Sequence, residues 1–97
     1  MSFKLEIRPL AAIEILEAYD WYELQREGLG AEFLNELEHL YKVLLNNPHT
    51  YSYYEEPIRQ GKINRFPYLV VYEIFGNSII IYSVFMTSQS PDKKRAG

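Results

Sequence analysis

Apolar residues in this chain change their spacing from stretch to stretch, and each change marks an element. Phe3, Leu5 and Ile7 alternate with Lys4, Glu6 and Arg8, the period of two expected of a strand with one buried face. Pro9 closes that strand. Beyond it Ala11, Ala12, Ile15, Leu16, Ala18, Tyr19 and Tyr22 share one arc of a helical wheel, with Glu14, Glu17 and Asp20 opposite, which predicts an amphipathic helix over about residues 10–26. Gly28 stands where a left-handed cap would end it. A second helix is predicted from Leu29 to Asn46, with Phe33, Leu34, Leu37, Leu40, Tyr41, Leu44 and Leu45 on its apolar stripe. The short link makes the two an antiparallel hairpin. Asn47-Pro48 stops the second helix, because the residue before proline is pushed out of the α region.

The rest of the pattern is that of a sheet. Two runs rich in β-branched and aromatic residues, Tyr68 to Phe75 and Ser78 to Met86, flank Gly76-Asn77, a strong hairpin signal. A third strand is expected over residues 58–66, with Gly61 marking a bulge or tight bend. Residues 49–58 show no period and read as a loop or an irregular approach to the sheet. The order β-α-α-β-β-β predicts a two-layer α+β domain, a helical hairpin packed on one face of a twisted, mainly antiparallel sheet. One domain is expected over residues 1–88, followed by a basic tail over residues 89–97.

Composition adds exclusions. The chain of 97 residues has no cysteine, which removes disulfides, thiolate zinc sites and cysteine nucleophiles. Its start lacks the apolar core of a signal peptide and no run is long enough to span a bilayer, so no membrane role and a cytoplasmic location are expected. No residues have metal-ligand spacing, and no cofactor is expected. The net charge of −3 hides an asymmetry: residues 1–57 carry 11 acidic and 4 basic side chains, residues 58–97 carry 2 acidic and 6 basic. The C-terminal half is thus suited to an anionic partner. Its folded cations, Arg59, Lys62 and Arg65, lead into the most hydrophobic part of the chain, and an uncovered sheet face would display them together. On the first helix Ile13, Trp21 and Leu24 fall outside the core arc and mark a candidate partner-binding surface.

Several of these stretches resemble the RelE/ParE superfamily of toxins from bacterial type II toxin-antitoxin pairs, often labelled plasmid stabilisation proteins. They include Asp20-Trp21-Tyr22-Glu23, Gly28-Leu29-Gly30 followed by Phe33, Asn47-Pro48, Ile58-Arg59, Arg65-Phe66-Pro67-Tyr68 with Tyr72, and Ser90-Pro91. The resemblance implies a microbial RNase-like fold and a cognate antitoxin partner, with a homodimer or a toxin-antitoxin hetero-oligomer as the assembly. It also implies one of two mechanisms: RelE-like members cleave mRNA on the ribosome, whereas ParE-like members poison DNA gyrase. Many relatives end the last strand with a histidine and, three residues on, an arginine; here those positions are Met86 and Gln89. A ribonuclease without metal needs a base, an acid and cations around the phosphate. Arg59, Arg65 and Tyr82 are the residues left to provide them. The two replacements favour the ParE-like reading, growth inhibition by binding a target, over a RelE-like endoribonuclease. A non-toxic chain that still binds antitoxin is the third reading. Lys93, Lys94 and Arg95 would steer the tail toward an acidic antitoxin or nucleic acid.

Overall fold

Pro9 opens the first helix as well as ending the first strand, since the N–H it lacks would have no partner at the first helical position. The computed structural model describes residues 2–87. Its elements are β1 (Lys4–Ile7), α1 (Pro9–Gln25), α2 (Leu29–Asn46), β2 (Tyr53–Glu55), β3 (Ile58–Lys62), β4 (Tyr68–Phe75) and β5 (Ser78–Met86). The strands form one sheet in the order β1-β5-β4-β3-β2, with β1 parallel to β5 and every other pair antiparallel. Both helices cover the same face, so the expected two-layer α+β architecture is present.

The hairpin turns as predicted, with Gly76 at φ 59° and Phe75 opposite Ser78. The sheet, however, has five strands where four were expected. β2 is three residues long with every side chain exposed, so no alternation betrays it in the sequence. β3 also stops at Lys62, short of residue 66, because Arg65 turns the chain at φ 72° just before Pro67. Gly61 carries no bulge: it pairs regularly with Val70. Its lack of a side chain serves a different contact, since a Cβ there would lie 2.9 Å from the Tyr51 ring. The central hairpin does carry a bulge, between Val71 and Tyr72, which leaves Tyr82 of β5 unpaired, and the β2–β3 register shifts between Tyr53 and Glu55.

α1 meets the sheet along a narrow line. Ala11 and Ala18 are its buried residues, and their small side chains let the helix lie close. Leu16, expected on the core arc, is 60% exposed, and Ala12 is exposed too. Leu16 projects roughly 160° around the helix from Ala18, away from the sheet. α2 buries Phe33, Leu37, Leu40 and Leu44 as its pattern predicts. The first helix ends earlier than expected, at Gln25 with Arg26 extended as its C-cap, so Gly28, left-handed at φ 91°, does not cap it but is the N-cap of the second. Glu23 then does what a capping side chain would do. Its carboxylate accepts the N–H groups of Gly28, Gly30 and Ala31 at 3.2, 2.8 and 3.3 Å. Gly30 is required by the close crossing, for a Cβ would stand 2.7 Å from the Tyr19 carbonyl oxygen.

Two contacts lock the layers together. Tyr22, Phe33, Phe66 and Tyr68 form an aromatic cluster with centroid separations of 5.0–6.1 Å, mostly edge to face. The buried Tyr72 hydroxyl donates to the Pro48 carbonyl at 2.7 Å, tying β4 to the end of α2. Burial pushes the pKa values of Tyr68 and Tyr72 up to about 12, so both hydroxyls remain protonated donors at any physiological pH.

Candidate functional site

Residues directly opposite one another in a ladder share a face, so the register decides where the cations point. Arg59 faces Tyr72, which is fully buried beneath the helices, and therefore leaves the sheet on the covered side, at its β2 rim. Its Nη1 donates to the Tyr51 carbonyl at 2.6 Å, and its guanidinium lies 4.1 Å over the Tyr53 ring. Lys62 faces Leu69 on the uncovered side, but its Nζ closes the following loop by donating to the Ile63 and Phe66 carbonyls at 3.1 and 3.2 Å. Arg65 is beyond the strand and reaches toward α2, with Nη2 2.7 Å from Glu32 and Nη1 3.5 Å from Glu36. The joint display of cations on the open face, expected from the sequence, is thus not what the chain builds. It assumed an uninterrupted strand from 58 to 66.

Tyr82 is in a third place. Its hydroxyl donates to Glu73 on the uncovered face at 2.7 Å, and that carboxylate raises its pKa, which keeps the proton in place. Arg59, Arg65 and Tyr82 therefore do not converge on a common point. His39 stands beside Glu36 at 3.4 Å on the exposed side of α2, and His49 is exposed after Pro48. Among the described residues no group of three His, Cys, Asp or Glu is placed to hold a metal, and no helix is long and apolar enough to cross a membrane.

The Arg65 contacts have a measurable signature. The hydrogen bond from Arg65, with smaller help from Arg26, holds the Glu32 carboxyl below its ordinary value of 4.5. A carboxyl depressed in the folded state stabilises the fold above its unfolded pKa, and that contribution is lost as pH falls through the folded value. Arg65→Ala should therefore melt earlier than the unchanged protein at pH 7, and the gap should close as the pH is taken below 4.5. Thermal midpoints measured from pH 7 to pH 2 decide it; a gap that stays constant to the acid end contradicts the assignment.

α1 also carries an uncovered apolar stripe. Ile13, Trp21 and Leu24 are 55%, 53% and 83% exposed, and Leu10, which the sequence reading passed over, is 57% exposed. At helical spacing these four fall within an arc of roughly 80°, with Glu17 among them. α1 is thus apolar on two sides, one facing the sheet and one facing out. Beside Trp21 a groove of about 330 Å³ opens against β5, and Met86, where many relatives have histidine, forms part of it. A second recess, about 420 Å³, lies among Ile7, Ile15, Leu34 and Tyr41. Among the described residues the Tyr41 hydroxyl is buried without a hydrogen-bond partner, and burial pushes its pKa up to about 12. Lys93, Lys94, Arg95 and Gln89 lie outside the described residues.

Comparison with known proteins decides which kind of molecule bears this surface. The family model described as ParE toxin of type II toxin-antitoxin system, parDE, matches residues 5–91. The chain belongs to this family. A solved structure of the chromosomal ParDE toxin-antitoxin system from P. aeruginosa has the same fold, with a TM-score of 0.75 over 87% of this chain and 95% of that one at 16% identity. No individually curated protein matches. In this ParE-family chain several residues of the stretches that carry the resemblance are building parts. Tyr22, Phe66 and Tyr68 make the aromatic cluster, Glu23 and Gly30 join the helices, and Pro48 receives Tyr72. The outward stripe of α1 does none of these jobs.

Proposed function

We propose that this chain is the toxin half of a bacterial toxin-antitoxin pair, acting in the cytoplasm by binding a target and neutralised by a cognate antitoxin laid over α1. The observation that carries this reading is the family match, which takes in nearly every described residue. The resemblance names DNA gyrase as the target. Binding, not RNA cleavage, is favoured by the way the cations are used: Arg59, Lys62 and Arg65 each spend donors on the chain itself, and Tyr82 is held protonated by Glu73. Arg59 and Arg65 remain the charged contacts offered to the target. Ile13, Trp21 and Leu24 are the contacts offered to the antitoxin, in a toxin-antitoxin hetero-oligomer.

Induced expression in a bacterial host tests the proposal. Growth should stop, stabilised gyrase-DNA breaks should accumulate with mRNA intact, and co-expression of the small protein encoded in the adjacent reading frame should restore growth. Ribosome-associated mRNA cut within codons would transfer the chain to the endoribonuclease reading. Continued growth at good protein levels would leave a non-toxic antitoxin-binding chain.

A further inference from the structure

Arg8, Arg26 and Arg65 each rest against a carboxylate, at 3.6, 3.4 and 2.7 Å. Arg59 is different. Among the described residues it makes no ion pair, and its side-chain hydrogen bond is the 2.6 Å contact from Nη1 to the Tyr51 carbonyl. Nε and Nη2 are left without a protein acceptor. They are not sealed in either, because among the described residues the Tyr41 hydroxyl is the only side-chain polar group both buried and unbonded. A half-buried guanidinium therefore turns an unspent pair of donors toward water at the β2 rim.

The side chain is nevertheless held still. The Tyr51 ring lies against Gly61, where a Cβ would come within 2.9 Å of it, and this contact fixes the carbonyl that Arg59 grips. From the other side the Tyr53 ring, 4.1 Å from the guanidinium, sets the plane of the fork. Tyr53 stands opposite Arg59 in the ladder, so the stack is built into the β2–β3 register. A planar fork pinned in this way is preorganised for a carboxylate, which accepts two parallel N–H bonds.

The neighbours narrow the ligand. Glu55 is one ladder position away, opposite Ile58, and Glu56 follows it, both exposed. A nucleic acid, charged at every phosphate, would bring several anions up against these two carboxylates. A single acidic side chain would not. Tyr53 and Tyr54, 48% and 64% exposed, offer aromatic surface to whatever flanks that charge, and tyrosine with arginine is the pairing that dominates protein interfaces. We infer that Arg59 is a preformed receptor for one carboxylate, the side chain of an Asp or Glu that the protein target presents among apolar neighbours. The inference rests on the reading that the chain acts by binding a protein, and it names what Arg59 receives there.

Nuclear magnetic resonance on the full chain tests the inference, with a blocked leucine-glutamate-leucine tripeptide as the probe. The peptide should shift the Arg59 Nε–H signal saturably, whereas its glutamine version and a short oligothymidylate should act on that signal about tenfold or more weakly. Arg59→Lys keeps the charge without the fork and should lose about tenfold in affinity for the peptide. The same variant should relieve the growth arrest expected of the unchanged chain. An Arg59 that merely props the β2 rim would lower the thermal midpoint on substitution and leave the peptide unbound. An Arg59 signal that stays put, in a chain that arrests growth, overturns the carboxylate receptor and leaves the toxin reading standing. A stronger response to the oligothymidylate would assign Arg59 to nucleic acid and overturn it equally. A chain that binds the glutamate peptide but never arrests growth keeps the receptor and removes the toxin reading.

Discussion

Phe33→Ala should lower the thermal midpoint by well over ten degrees. The side chain is fully buried, with ring centroids 5.6, 5.5 and 5.0 Å from those of Tyr22, Phe66 and Tyr68. Removing such a ring costs about 3–5 kcal/mol through lost burial and the cavity left behind. In a domain of this size each kcal/mol moves the midpoint by roughly 4–8 °C. The cost falls at the high end because the neighbours come from α1, from the loop after β3 and from β4, and none of them can collapse inward without dragging its element along. Phe33→Leu, which keeps most of the volume, should lose less than half as much. Calorimetry on the two variants checks the argument. A Phe33→Ala midpoint within a few degrees of the unchanged protein would mean that the aromatic cluster does not hold the layers together. The partner surface depends on the same cluster, because Tyr22 anchors the α1 turn that presents Trp21 and Leu24.

What could be read from the sequence follows from where the periodicity is clean. β1 alternates, α2 has one apolar stripe, and the central hairpin is punctuated by Gly76-Asn77, so these elements and the two-layer arrangement were legible. α1 was legible as a helix, but its exposed side was only partly seen. With leucines and isoleucines all round, a wheel assigns Leu16 inward as readily as outward, and only the Ala11–Ala18 contact line settles it. β5 reads Ser-Ile-Ile-Ile-Tyr-Ser-Val-Phe-Met, apolar at successive positions, so nothing in it announces a bulge at Tyr82. Arg59 was harder still: its face depends on the register against Tyr72, and its partners lie on the preceding loop and on β2, a strand too short and too exposed to show a pattern. Glu14 was legible as polar and nothing more. Its bonds to Ser83 and Val84 join residues about seventy positions apart, a relation that exists only once the helix lies against the sheet.

Trp21→Ala should weaken antitoxin binding by about 30- to 1000-fold, the 2–4 kcal/mol that truncating a central aromatic anchor costs at a protein interface. Trp21 is the natural anchor here because it belongs to both parts of the surface: it lies on the outward stripe with Ile13 and Leu24, and it lines the groove beside β5. With half its surface exposed in the free chain, it contributes little to the core, so the variant should fold with a thermal midpoint close to that of the unchanged protein. Leu16→Ala provides the contrast. Leu16 is as exposed as Trp21 but projects roughly 140° away around the helix, so its loss should change affinity by no more than a few-fold. Titration calorimetry of both variants against the adjacent gene's product, together with the growth-rescue assay, reads the difference. Equal losses in the two variants would spread the interface round the whole helix, and a full-strength complex with Trp21→Ala would move the antitoxin off this side of α1.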